Sequence, residues 1–285
     1  MAGKKHKTGA PAKGPNRGDR RDGAQGAARP PFAESSEGTR GQSGAPKGAF
    51  WLYGFHAARA ALANPRRTVR KALLTARAAA EMGRDLPRDL AAEPADPEAL
   101  TRLLPYGAVH QGIALYCEPL PPLNLEEVLG RLPVGKRLVA VLDQITDPHN
   151  EGAILRSAAA FGVAAVIVQD RHAPPESGAL AKAASGALDI VPRVPVVNIA
   201  RALDDLGKMR FWRIALAGDA GSSLREVARE GDIAIVLGAE GAGVRRLVRE
   251  TCDASAFIPM SGAMESLNVS NAAAIALYEL SGLGR

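Results

Sequence analysis

From Arg137 onward the chain alternates short runs that are apolar at every position with stretches of helical period. The runs cover residues 138–142, 163–168, 213–217, 233–237 and 256–258. Strands that are apolar throughout, rather than at every second position, predict a sheet covered on both faces. Their alternation with helices predicts an α/β region built on a mainly parallel sheet. Several runs end in a turn or charged residue: Asp143, Asp170, Gly218, Gly238 and Pro259. Ligands of open α/β sheets bind outside the carboxyl ends of the strands, so that edge is where chemistry is expected.

Upstream the pattern is shorter and mixed. Order begins at Phe50-Trp51-Leu52-Tyr53-Gly54, followed by an Ala-rich helix over 56–62, a strand over 71–76, helices around Ala78 and over 97–104, and a strand over 112–116. This predicts a small α/β unit over 49–118. Pro119, Pro121 and Pro122 then predict a linker over 119–136, because proline continues neither a helix nor a central strand. Residues 1–48 hold 10 basic and 4 acidic side chains with 10 Gly and 5 Pro, a composition that predicts a disordered basic arm.

Charge changes the picture once it is divided by segment. The 285 residues carry 36 Lys and Arg against 30 Asp and Glu, a net +6 that invites a nucleic-acid partner. The arm accounts for all of it, leaving 26 basic and 26 acidic groups in residues 49–285. No run approaches the ~18 apolar residues of a membrane span, and no apolar stretch follows the basic start, so a cytoplasmic protein without membrane partner is expected. Cys117 and Cys252 stand 135 positions apart, and the five histidines lack ligand spacing, so neither a disulfide scaffold nor a metal site is expected.

Three segments at predicted strand ends carry candidate chemistry. In the first, Asp143 to Arg156, Asp147 followed by Pro148 reads as a helix N-cap with proline at the first helical position. On that helix Ile154, Ala158 and Phe161 form an apolar stripe, and Arg156 lies off it. Gly152, one turn earlier, reads as room for a substrate beside the guanidinium; the alternative is an arginine paired with Glu151 or Asp147. The second, Gly238-Ala-Glu240-Gly241-Ala-Gly243, is a glycine-rich turn with one acid, spaced neither as a dinucleotide fingerprint nor as a P-loop. It reads as close backbone approach to a ligand or as a tight strand-to-helix turn. The third runs from Ile258 through Ser266, Asn268, Ser270 and Asn271 into an Ala-rich helix that is apolar on nearly every face. That helix is expected to be buried, with Ser266 as its N-cap. A separate basic cluster, Arg66, Arg67, Arg70 and Lys71, reads as a phosphate-contacting face or as a solvated one.

Taken together, Asp147-Pro-His-Asn-Glu-Gly-Ala-Ile-Leu-Arg156, Leu237-Gly-Ala-Glu-Gly241 and Ile258-Pro-Met through Ser266-Leu-Asn-Val-Ser-Asn-Ala272 resemble, in order and spacing, the three motifs of the SpoU (TrmH) class of RNA ribose 2'-O-methyltransferases. Tyr53-Gly-Phe-His-Ala-Ala-Arg-Ala-Ala-Leu62 and His110-Gln-Gly-Ile-Ala114 resemble the ribosomal-protein-like substrate-binding domain of its rRNA-directed members. The resemblance implies a SPOUT α/β-knot domain with a deep trefoil knot over 137–285, preceded by an L30e/L7Ae-like RNA-binding domain over 49–118. It further implies a homodimer joined through the last helix and S-adenosyl-L-methionine as methyl donor, held by Leu237, Gly238, Ile258, Met260 and Leu267. Arg156, Asn150, Glu240, Ser266 and Asn268 are the catalytic set it implies. The implied substrate is a guanosine ribose in 23S rRNA, alone or within a ribosome assembly intermediate. A tRNA methyltransferase of the same class and a non-catalytic RNA-binding module remain as alternatives.

Overall fold

The computed structural model describes residues 48–262 and 264–282; the predicted arm, but for Gly48, lies outside them. The first sheet is formed by β1 (Phe50–Tyr53), β2 (Val69–Leu74), β3 (Ala92–Pro94) and β4 (Ile113–Cys117), in the order β1-β4-β2-β3. Its helices are α1 (Phe55–Ala63), α2 (Ala76–Met82) and α3 (Pro97–Leu103). β4 runs antiparallel to both β1 and β2.

The predicted linker holds a helix, α4 (Leu125–Gly130), capped by the Asn124 side chain, which accepts from the Glu126 backbone N–H. Between Pro122 and Pro133 the segment is free of proline, leaving a capping residue and an amphipathic turn free to fold. Leu125 and Leu129 bury themselves under the second sheet.

That sheet has six strands: β5 (Leu138–Asp143), β6 (Ala165–Gln169), β7 (Arg193–Val196), β8 (Trp212–Leu216), β9 (Ile233–Gly238) and β10 (Ala254–Ala256). Their order is β10-β8-β9-β5-β6-β7 and every pairing is parallel. Proline in β7 obscures its strand character in the sequence and is tolerated because β7 is an edge. The connecting helices are α5 (Pro148–Ala160), α6 (Gly178–Ala184), α7 (Ile199–Lys208), α8 (Leu224–Val227), α9 (Arg246–Glu250) and α10 (Val269–Ser281).

Alternate residues of β5 feed two apolar layers. Leu138, Ala140 and Leu142 join α5, α6 and α10, whereas Val139 and Val141 join α4, α7 and α9. This is the two-sided burial that uniformly apolar runs imply. The first layer continues without a break into α1 and the first sheet through Phe55, Ala58, Leu180 and Ala184.

Two local readings need correction. A Cβ on Gly152 would lie 2.5 Å from Ala183 Cβ and 2.9 Å from Ala184 N, so this glycine exists to let α5 lie against α6, with no room left for substrate. And α10 is buried on one side only: Val269, Ala273, Ala276 and Leu277 face the core, while Ile275 and Tyr278 are exposed.

Candidate active site

Asp147 caps α5 as its sequence predicts, its carboxylate accepting from the His149 N–H, and the proline beside it fixes the first helical turn. This sets Asn150 on the exposed side of the first turn, beyond the carboxyl end of β5. Glu240 sits two residues past β9, and Asn268 is the N-cap of α10 in place of Ser266. The three meet. Asn150 Nδ2 donates to Glu240 Oε1 at 3.1 Å, and Asn268 Nδ2 donates to the same oxygen at 2.6 Å and to Asn150 Oδ1 at 3.0 Å. Asn268 Oδ1 then accepts from the backbone N–H and hydroxyl of Ser270. One residue from each of three strand-end segments is thus joined by side chains alone.

The turn carrying Glu240 is held from behind. A Cβ on Gly238 would collide with the backbone of Gly243 and Val244, so the chain must double back there on glycine. At the other end of the turn, Arg245 clasps the fully buried Asp143 at the end of β5. Its backbone N–H reaches Oδ2 at 2.9 Å, its Nε reaches Oδ1 at 2.8 Å, and its Nη2 donates to Gln169 Oε1. Asp143 stood out in the sequence as a charged strand end, but nothing there marks its partner 102 positions away.

Beside the Asn150–Glu240–Asn268 cluster opens a cleft of about 680 Å³. Leu237, Gly238, Ile258, Met260 and Leu267 all line it, together with Glu240, Ser266 and Asn268. The end of β8, Leu216, Ala217 and Gly218, forms a further wall that motif reading did not single out beyond noting Gly218 as a strand end. No group of His, Cys, Asp or Glu among the described residues is arranged to hold a metal ion.

Comparison with known proteins agrees with this geometry. Residues 137–278 match the SpoU rRNA methylase family, and residues 51–123 match an RNA 2'-O ribose methyltransferase substrate-binding domain. The chain is 45% identical to the 23S rRNA (guanosine-2'-O-)-methyltransferase RlmB of Vibrio vulnificus over 61% of its length and 71% of that protein. To RlmB of Ralstonia nicotianae it is 41% identical over 80% of its length and 93% of that protein. The chain belongs to the SpoU methylase family. The fold agrees: the SpoU methyltransferase AviRb from Streptomyces viridochromogenes, solved with AdoMet, superposes with a TM-score of 0.70 at 24% identity. It covers 82% of this chain and 89% of that one.

Within this SpoU chain Arg156 is exposed on α5, six residues after Asn150, and does not itself line the cleft. Neither carboxylate weighed as its partner is available. Glu151 is fully buried and takes Arg193 Nε at 2.5 Å, and Asp147 is spent on the cap. Burial pushes the Glu151 carboxyl above the usual range, with Arg193 opposing the shift. Arg156 has no ion pair among the described residues and projects its charge into solvent. Ser266 is exposed on the cleft rim.

The basic cluster does not stand as four free cations: Arg67 is withdrawn from the surface, and the others have partners within the chain. The Arg67 side chain is completely buried between Glu176 and Asp189. Arg66 donates to Pro121 O, Arg70 pairs with Glu118, and Lys71 pairs with Glu93. The sequence shows four cations within six residues but not the carboxylates and carbonyl that fold onto them.

Proposed function

We propose that this chain transfers the methyl group of S-adenosylmethionine to the ribose 2'-hydroxyl of a guanosine in 23S rRNA. The observation that carries this reading is the junction of Asn150, Glu240 and Asn268 at the mouth of the cleft, in a chain 41–45% identical to proteins named as 23S rRNA (guanosine-2'-O-)-methyltransferases.

The cleft fits the methyl donor on its own terms. Its lining is apolar at Leu216, Leu237, Ile258 and Leu267 and polar at Glu240, Ser266 and Asn268, and residues at or just past the ends of three strands contribute to it. An apolar slot with a few convergent polar groups suits an adenine ring and an amino-acid tail. When bound, S-adenosylmethionine supplies a sulfonium-activated methyl group.

The protein's contribution is orientation and charge. The 2'-hydroxyl oxygen must bond to the methyl carbon as the carbon–sulfur bond breaks, and the hydroxyl proton must leave. Arg156 holds its own proton, so it acts as a cation, binding a neighbouring RNA phosphate and stabilising the developing alkoxide. Asn150, Glu240 and Asn268 keep the three loops in register around the ribose. Ser266 offers a hydroxyl at the rim.

The same reading carries a deep trefoil knot over 137–285, supported by the insertion of β9 between β8 and β5 although both precede it in the chain. It carries an L30e/L7Ae-like RNA-binding unit over 49–118, a homodimer through the exposed Ile275 and Tyr278 of α10, and a cytoplasmic location. No helix among the described residues is long and apolar enough to cross a membrane.

The test is transfer of tritiated methyl from S-adenosylmethionine to separated RNA pools. Label in 23S rRNA at a guanosine 2'-oxygen supports the reading. Label in tRNA alone moves the substrate to tRNA, and no label in any RNA leaves an RNA-binding module.

A further inference from the structure

Arg67 belongs to the turn between α1 and β2, yet almost all its partners lie outside the first sheet. Nε donates to Asp189 Oδ1 at 2.7 Å, and Nη1 donates to Glu176 Oε2 at 2.6 Å and to Glu118 O at 2.9 Å. Glu176 precedes α6 and Asp189 follows it. Both Glu176 oxygens also accept the Leu120 N–H, and Asn64 Nδ2 adds a bond to Asp189 Oδ1 at 3.1 Å. One guanidinium therefore ties the first sheet unit, the connecting chain and the six-stranded unit together. The Phe50 ring lies 5.7 Å from its carbon.

Around this point the two units touch at glycines. A Cβ on Gly178 would lie 2.5 Å from Trp51 O and 2.6 Å from Tyr53 Cε1, and one on Gly186 would lie 2.9 Å from His56 O. One continuous apolar layer crosses the boundary. That layer is already adhesive, and a buried ion pair adds little net stability because desolvation consumes the Coulombic gain. What a planar guanidinium held by two carboxylates adds is direction, since its donors accept partners only in fixed geometry. Arg67 Nη2 and Asp189 Oδ2 are even left buried without partners, a cost that adhesion alone would not require.

We infer that Arg67 is a positioning residue for RNA: it fixes the first sheet unit in one orientation relative to the Asn150–Glu240–Asn268 cleft, so that RNA held by that unit meets the cleft in register. The inference rests on the RNA reading above. If the unit sampled many orientations, RNA would bind productively only to the correctly docked fraction, so its apparent affinity would fall by that fraction while turnover at saturation stayed the same.

The test combines a distance measurement and kinetics on the full chain. Spin labels at Glu98→Cys and Asp204→Cys, one exposed site in each unit, are expected to give a single narrow distance distribution, unchanged by 23S rRNA. A broad distribution in the otherwise wild-type chain overturns the inference, whatever the variants do. The triple variant Arg67→Met, Glu176→Gln, Asp189→Asn removes all three charges together. It is expected to broaden the distribution and raise the RNA KM at least tenfold, with saturating kcat within threefold and S-adenosylmethionine affinity unchanged. A folded triple variant with wild-type RNA KM overturns the proposal, as does a raised KM with an unbroadened distribution. If the triple variant does not fold, the distribution in the otherwise wild-type chain decides. Should the wild type methylate no RNA, the functional reading fails, while the distance distribution still reports whether the two units are locked.

Discussion

Asn268 Nδ2 lies 2.6 Å from Glu240 Oε1, linking the cap of the last helix to the glycine turn 28 residues earlier. The contact spans two segments that sequence treats separately, and Asn150 completes it from a third. Truncation of Asn268 to Ala removes three side-chain bonds and the cap of α10 together. Turnover is expected to fall at least ~10²-fold, as when a catalytic group loses its alignment. The check is single-turnover methyl transfer beside a thermal melt; turnover within threefold of wild type would remove this cluster from the mechanism.

Arg156→Ala is expected to abolish methyl transfer while S-adenosylmethionine binding, followed by calorimetry, survives. The guanidinium has no ion pair to lose among the described residues, so the variant's melting temperature should match the wild type. Wild-type turnover by this variant would sink the assignment of Arg156.

Gly152→Ala tests packing rather than chemistry. The added methyl meets Ala183 and the α6 backbone, and overpacking of this kind costs about 1–3 kcal/mol. Denaturant unfolding should show that loss. An unchanged midpoint would mean that α5 and α6 stand further apart than 2.5 Å from Ala183 Cβ allows.

Stability should depend on pH through Asp232. Its carboxylate, almost wholly buried, accepts from the Gly135 and Arg137 N–H groups and from the Arg137 guanidinium. Burial alone would raise its pKa, but these bonds outweigh it and hold the group below its usual 3.8. A depressed acid stabilises the fold above its unfolded pKa and loses that contribution as pH falls through the folded value. Asp232→Asn breaks a buried pair and is expected to cost about 3–5 kcal/mol at pH 7. The gap from wild type should narrow below pH ~4, near the unfolded aspartate value. A gap constant with pH would contradict this account.

The exposed Ile275 and Tyr278 of α10 are the proposed dimer surface. Replacing both with Glu should convert a dimer to a monomer in sedimentation; the melt at low protein concentration should fall only by the loss of the edge contact between Tyr278 and Phe161, since both replaced side chains are largely exposed. A wild-type chain that sediments as a monomer would exclude this surface as a stable interface.

Much of the fold was legible because burial on both faces of a parallel sheet writes itself as unbroken apolar runs, as in β5 and β9. The Asp147 cap was legible through local chemistry, whereas Asn150, Glu240 and Asn268 came together only through the resemblance to the SpoU motifs. What escaped shares a physical cause. Arg67 and Gly152 are explained by neighbours tens of residues or more away, and no local pattern distinguishes a solvated arginine from one folded onto two carboxylates. The helix α4 escaped because the prolines before it dominated the reading of its segment. The strand β7 escaped because proline interrupts it at an edge.

The placement of β9 has a consequence for synthesis. Leu138 of β5 pairs with Ile233 of β9, so one edge of β5 waits about 95 residues for its neighbour. At roughly 5–20 residues per second that interval is about 5–20 seconds, during which a strand apolar from Leu138 to Leu142 has an open side on the ribosome. A chain whose proposed substrate is ribosomal RNA thus presents an open apolar strand edge while still attached to a ribosome.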